Sequence, residues 1–310
     1  MKEVIPISYK PYTPHKISPE QQYDAAAKHL LSIREVQAKI LKAVVHEVKD
    51  YEIEEIMTFI DPTSMEVGKH PLSHFIGDNT ESNILEEGVI TYDIRYHLCI
   101  PNEPQPITII INTEAQKDTP RKYSLVSRGI FYCARLLSEQ LNTEFKIPYY
   151  DDLKKVYSIW INMNPHKKDK NTIEIYGIKE KTNHNSNKQY DKLDVIIINL
   201  GKDIQEEDGI LRELGILFSK KIESKERNNL LKTSYNKDEK EILEVVNHMC
   251  NLSLGIREEG IREGRKEGRK EGRKEERTNL LKELFKDGII TEKTMKEYLM
   301  KKDCEELDEQ

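Results

Sequence analysis

Cysteine is scarce: Cys99, Cys133, Cys250 and Cys304 are the only four in 310 residues, and no two form a Cys-x-x-Cys pair. Such spacing argues against both a disulfide frame and a zinc cage, and it suits free thiols in a reducing cytosol. Long apolar runs are missing too. Val195–Ile198 and Ile109–Ile111 are among the longest, far short of the roughly 20 residues a spanning helix needs. Met1–Lys10 has no basic start followed by an apolar stretch, so no secretory signal is expected and a cytoplasmic location is. Nor is there an excess of basic charge, since the formal net charge is −6. That balance leaves room for a local basic groove beside an acidic site. What is present is enough apolar material, 37% of residues against 34% charged, for one large core with an appendage.

Three prolines (Pro6, Pro11, Pro14) make residues 1–17 an extended lead-in. Ser18-Pro19-Glu20 then reads as a helix start: a capping Ser, Pro in the first turn, and an acid at the positive end of the dipole. Apolar residues from Ala26 through Leu30, Val36 and Ile40 to Val45 extend that helix as one stripe. Tyr51–Ile60 is predicted as a strand and Asp61–Asn79 as a long ordered loop. Val89–Ile100 and Ile107–Glu114 are β-rich runs separated by a proline-rich turn. A helix is predicted from about Pro120 to Asn142, burying Leu125, Phe131, Leu136, Leu137 and Leu141. Strands follow at Val156–Met163, Thr172–Ile178 and Leu193–Leu200, with Trp160 in the core. From Ile204 onward the pattern is helical.

The two β-rich runs carry the chemistry. Alternation puts Ile90, Tyr92, Ile94, Tyr96 and Leu98 on one face of the first, and Thr91, Asp93, Arg95 and His97 on the other. In the second, Thr108, Ile110, Asn112, Glu114 and Gln116 share a face. If the hairpin turns about the Glu103–Pro104 bond, Leu98 falls opposite Ile109 and Asp93 opposite Glu114, with Cβ atoms about 5 Å apart. Two carboxylates held that close share a proton or a cation. Hard oxygen ligands suit Mg²⁺ or Mn²⁺.

The order helix, strand with Asp93, strand with Glu114-Ala115-Gln116, helix, strand resembles the PD-(D/E)XK nuclease superfamily over roughly residues 18–200. It is most similar to the recombination-promoting nuclease and transposase-like branch. The likeness rests on Asp24-Ala-Ala-Ala-Lys28, Thr80-Glu81-Ser82, Tyr92-Asp93-Ile94, Thr113-Glu114-Ala115-Gln116 and the helix with Arg128, Tyr132, Arg135 and Gln140. The resemblance implies an α/β, restriction-endonuclease-like mixed sheet flanked by helices, and a Mg²⁺-dependent DNA endonuclease. Asp93 and Glu114 would hold the metal, and Gln116 would join them in catalysis. Lys28, Arg128, Tyr132 and Gln140 would contact DNA or support the site. Tyr92 stands where the motif has Pro, and Gln116 where it has Lys; an amide orients water but carries no charge. Lys117, next along the strand, should point to the opposite face. Glu81 and Glu87 are further acids whose structural role is the simpler one. His70 and His74 are four apart, but Pro71 and Gly77 argue against a shared helix face. The competing reading is a member that binds DNA or protein, cuts nothing, and assembles through its tail.

That tail is a low-complexity repeat at residues 259–276, with Gly260, Gly264, Gly268 and Gly272 every fourth residue. Pairs such as Glu263–Lys266 contribute about 0.2–0.5 kcal/mol each, whereas each interior Gly costs about 1 kcal/mol. A helix there is marginal unless a partner covers it, which points to a homo-oligomer. Arg257–Arg277 holds nine basic against seven acidic residues, so it is not a basic DNA arm. The expected divisions are a nuclease-like part over 1–235, the repeat helix over 236–277, and a helical hairpin over 278–310 broken at Asp287-Gly288.

Overall fold

In a computed structural model of the chain, the described residues are 18–67, 81–84, 88–101, 105–179, 191–201, 209–219, 222–232 and 234–305. The lead-in, His70, His74, Thr80 and Glu87 lie outside them, and only the backbone of Glu81 is described.

The first helix, α1 (Pro19–Ser32), starts as its sequence predicts: Ser18 Oγ accepts from the Gln21 amide and Gln21 Oε1 from the Ser18 amide. It does not run through to Val45. Ile33 is extended, and α2 (Arg34–Val44) begins after it. Polar side chains take up the carbonyls this break frees. Ser32 Oγ donates to the His29 carbonyl at 2.7 Å and Gln37 Nε2 to the Leu31 carbonyl at 2.6 Å. Such local side-chain bonding is what a stripe of apolar residues cannot reveal. The expected strand at Tyr51–Ile60 is instead helix α3 (Ile53–Phe59), capped by Glu52 and Glu55. Ile56, Met57, Phe59 and Ile60 are buried at helical spacing.

The central sheet is built from β1 (Glu66–Val67), β4 (Ile94–Ile100), β5 (Ile107–Gln116), β6 (Lys155–Asn162), β7 (Thr172–Gly177) and β8 (Leu193–Asn199). Its order is β1-β4-β5-β6-β8-β7, and β2 (Glu81–Ile84) and β3 (Gly88–Thr91) form a separate ribbon. The β4–β5 hairpin has the expected register, with Leu98 opposite Ile109 and Ile94 opposite Thr113. β5, β6 and β8 are parallel, while β1, β4 and β7 make it a mixed sheet.

Helix α4 (Leu125–Ser138) joins β5 to β6 and covers one sheet face. Its buried side is Leu125, Gly129, Tyr132, Cys133 and Leu136, set against Ile110, Val156, Trp160, Val195 and Ile197. Phe131 and Leu141 are exposed instead. Gly129 takes the sheet-facing place because the helix lies so close that a Cβ there would overlap Val195 and come within 3.1 Å of Trp160 Nε1. On the other face, Gln37 Oε1 accepts from Tyr96 at 2.7 Å and Thr113 at 3.2 Å, tying α2 to β4 and β5.

Helices α5 (Gly209–Phe218), α6 (Ser224–Leu231) and α7 (Glu239–Lys286) follow. The first compact unit ends at Ser253, within α7 and beyond the division expected at 235, because Ile242, Val245, Val246 and Met249 are buried. Buried Glu35 fixes the entry to α7. Its carboxylate accepts the amides of Asn236, Lys237 and Asp238 at 2.8, 3.1 and 2.9 Å. The second unit, Leu254–Gln310, holds the repeat and α8 (Glu292–Glu305). The repeat is helical, and among the described residues nothing lies within 4 Å of a Cβ built on Gly260, Gly264, Gly268 or Gly272. The helix ends at Asp287-Gly288, where Gly288 has φ 71°.

Candidate active site

The expected single strand over Val89–Ile100 is interrupted at Tyr92-Asp93, and this irregularity builds the site. From Ile94 onward the alternation is regular. At the break it is not: Tyr92 packs under α4, edge-on to Tyr132 at 5.5 Å, whereas Tyr96 bonds to α2 on the other face. Tyr92 therefore does not share the face of Ile94 and Tyr96, as strict period-two reading required.

Where the β4–β5 ladder stops, carboxylates replace it. The Asp93 amide donates to Glu114 Oε1 at 3.1 Å, and the Ala115 amide donates to Asp93 Oδ2 at 2.9 Å. Each acid thus binds the backbone of the other's strand, next to the last ladder pair.

Burial pushes the Asp93 carboxyl above its ordinary range, against the pull of Lys28 and the Ala115 amide. Glu114, only 4% exposed, is pushed well above its own by burial first and the Asp93 charge second. Lys28 comes from α1 and sits 3.0 Å from Asp93 Oδ1 and 2.9 Å from Asp24 Oδ2. Burial works against its charge, but the two acids outweigh that and raise its pKa.

Gln116 ends β5. Its Nε2 donates to the Asp118 carbonyl at 2.6 Å, and its Oε1 accepts from Arg128 Nη1 at 3.4 Å. Lys117, next along the chain, pairs with Glu20 of α1 at 3.3 Å. Arg128 also donates to Tyr132 at 2.8 Å and Tyr123 at 3.3 Å, and its guanidinium lies over the rings of Trp160 and Tyr132. Contacts thereby join Lys28, Asp93 and Glu114 in one group and Gln116, Arg128 and Tyr132 in another, and the charges of Glu114 and Arg128 act on each other between the two.

Gln140 is placed elsewhere, about three helical turns past Arg128. Its amide oxygen accepts the Lys154 amide at 2.8 Å and its nitrogen donates to the Lys154 carbonyl at 3.1 Å, clasping the end of α4 to the start of β6. Asp24 and Tyr123 carry no role in the sequence reading. The Asp24–Lys28 spacing is an i,i+4 ion-pair signal; nothing in the sequence singles out Tyr123.

A family profile described as PD-(D/E)XK nuclease family transposase matches residues 103–260. The match covers half of the chain. This protein belongs to that family. The matched span contains Glu114, Gln116, Arg128, Tyr132 and Gln140, while Asp93 and Lys28 precede it. The mixed sheet flanked by helices is the restriction-endonuclease-like fold that membership implies. Searches of curated proteins and of solved structures give no match.

Among the described residues, no group of three or more His, Cys, Asp and Glu side chains is gathered as a ready metal cage. The donors at hand are two carboxylates from neighbouring strands, both desolvated and both biased toward the neutral form. A divalent cation with a preference for hard oxygen fits that pair, because its charge relieves the cost that burial and mutual repulsion impose. Among the described residues, no helix is long and apolar enough to cross a membrane.

Proposed function

We propose that the chain is a metal-dependent DNA endonuclease in which Asp93 and Glu114 hold Mg²⁺ or Mn²⁺. One observation carries this reading: two desolvated carboxylates interlock across the end of the β4–β5 ladder, beside the Gln116–Arg128 pair. When bound, the ion supplies the positive charge that polarises a scissile phosphate and favours deprotonation of the attacking water. Gln116 orients that water through its amide. Lys28 steadies Asp93 from α1. Tyr132, from α4, bonds to Arg128 and backs it. Gln140 supports the site at one remove, by fixing the end of α4. Asp93 and Glu114, by holding an ion, would present less negative charge to approaching DNA, and we place the protein in the cytoplasm.

The competing reading, a member that binds DNA without cutting it, is favoured by the uncharged Gln116 and by the Lys28 ion pair on Asp93. Supercoiled plasmid incubated with Mg²⁺ or Mn²⁺ separates the two. Nicked or linear product that disappears with chelator supports the endonuclease, whereas DNA retained in a complex but never cut supports the binder.

A further inference from the structure

Gln116 leaves open which group faces the charge that builds on phosphate. Three cations stand near, and their partners sort them. Lys117 is paired with Glu20. Lys28 is committed twice, to Asp24 and to Asp93. Arg128 differs from both. Among the described residues its hydrogen-bond acceptors are neutral: Gln116 Oε1, the Tyr123 hydroxyl and the Tyr132 hydroxyl. It forms, among the described residues, no carboxylate ion pair of the kind that holds Lys28 and Lys117, and the Glu114 charge acts on it only through space. Its guanidinium centre lies 4.9 Å from the Trp160 ring and 5.1 Å from the Tyr132 ring.

Resting on the endonuclease reading above, we propose that Arg128 is the catalytic cation of this site, presented to the scissile phosphate by a neutral cradle of Trp160, Tyr132 and Tyr123. The duties of the motif lysine are divided: Gln116 orients water and Arg128 supplies charge. The split is physically economical, because the Arg128–Gln116 hydrogen bond fixes the amide while the guanidinium keeps a full positive charge for an incoming anion. A guanidinium locked on a carboxylate would have to break that pair first. One held by hydroxyls, an amide and ring faces exchanges weak partners for a strong one.

The cradle is rigid. Trp160 is 1% exposed and donates to Ser158 Oγ at 2.9 Å, and the same oxygen accepts from Asn112 Nδ2 at 3.2 Å. Tyr132 meets Trp160 edge-on at 5.2 Å. Gly129, the residue after Arg128, removes the side chain that would hold α4 away from Trp160. Arg128 makes and breaks no bond in hydrolysis; it stabilises negative charge on the non-bridging phosphate oxygens.

The test compares wild type with Arg128→Met, Arg128→Lys and Arg128→Ala in plasmid cleavage with Mn²⁺. DNA binding is measured in parallel with Ca²⁺, and folding by thermal melting. Arg128→Met keeps an apolar stem over Trp160. It is expected to lose about 10²–10³ in kcat, the scale for removing one preorganised donor from a developing anion, with little change in KM. Arg128→Lys should recover part of the rate. Methylguanidinium added to folded Arg128→Ala should restore cutting, whereas methylammonium should do so poorly. A wild-type chain that cuts nothing overturns the endonuclease reading and this proposal together. Wild type that cuts, beside Arg128→Met at an undiminished kcat, overturns this proposal alone. So does a loss confined to KM, or a folded Arg128→Ala that methylguanidinium leaves inactive.

Discussion

Gly129→Ala and Gly264→Ala are the same chemical change in helical backbone, and their effects should have opposite signs. On an open helix, Ala is favoured over Gly by about 1 kcal/mol. Gly264 meets that condition, since a Cβ there finds nothing within 4 Å among the described residues. Gly129 does not. Its Cβ would overlap Val195 Cγ1 and lie 3.1 Å from Trp160 Nε1 and 3.3 Å from Val195 Cγ2. Trp160 is held by Ser158, and Val195 is fully buried, so neither has a free direction to yield. Overpacking of this kind costs about 1–3 kcal/mol; after subtracting the propensity gain, Gly129→Ala should lose roughly 1 kcal/mol, with 2 as the upper end. For a unit of this size that is a fall in melting temperature of about 2–4 °C per kcal/mol. Differential scanning calorimetry on the full chain reads it directly. Arg128 should move with the helix, so cleavage should fall by more than the population of unfolded protein explains. A Gly129→Ala variant that melts higher than wild type would refute the close seating of α4 on β6 and β8.

Glu35→Ala should cost about 3 kcal/mol, because three amides at the entry to α7 lose a charged acceptor whose bonds contribute roughly 1.5–3 kcal/mol each before solvent replaces part of them; urea titration checks the size. The folded protein keeps protons on Asp93 and Glu114 after the unfolded chain has released them at its ordinary values of 3.8 and 4.5. Stability of the metal-free protein should therefore fall as pH rises from that range through the raised folded values. Glu114→Gln should remove part of this slope and raise the neutral-pH melting temperature; an unchanged slope in calorimetric scans would contradict the burial of the pair. Chains ending at Ser253 should keep cutting DNA and lose self-association, measured by light scattering beside a cleavage assay. Equal oligomeric state with and without residues 254–310 would remove assembly from the repeat's role.

Much of the fold was legible because it is written in local periodicity. The Ser18 cap, the β4–β5 register and the central strands follow from capping chemistry and alternation. The failures have one common cause: specific side-chain hydrogen bonds and close packing override the apolar pattern. Ile33 ends α1 because Ser32 and Gln37 satisfy the freed carbonyls. Ile53–Phe59 is a helix because Glu52 and Glu55 cap it, despite a β-rich composition. Phe131 is exposed because the sheet needs Gly129 at the contact. At the site, the Asp93–Glu114 proximity came from counting a hairpin register. The strand break at Tyr92-Asp93 did not, since two carboxylates there take the place of ladder bonds and only the folded chain brings them together.

Titration of Mn²⁺ into wild type, Asp93→Asn and Glu114→Gln, followed by electron paramagnetic resonance of the free ion and by calorimetry, tests most directly whether this acid pair is a metal site. Wild type should bind Mn²⁺ with release of protons and with affinity that rises with pH as the pair ionises. Both variants should remain folded, bind the ion far more weakly, and cut no DNA. Mn²⁺ binding of undiminished strength in either folded variant would place the metal, and with it the chemistry, somewhere other than Asp93 and Glu114.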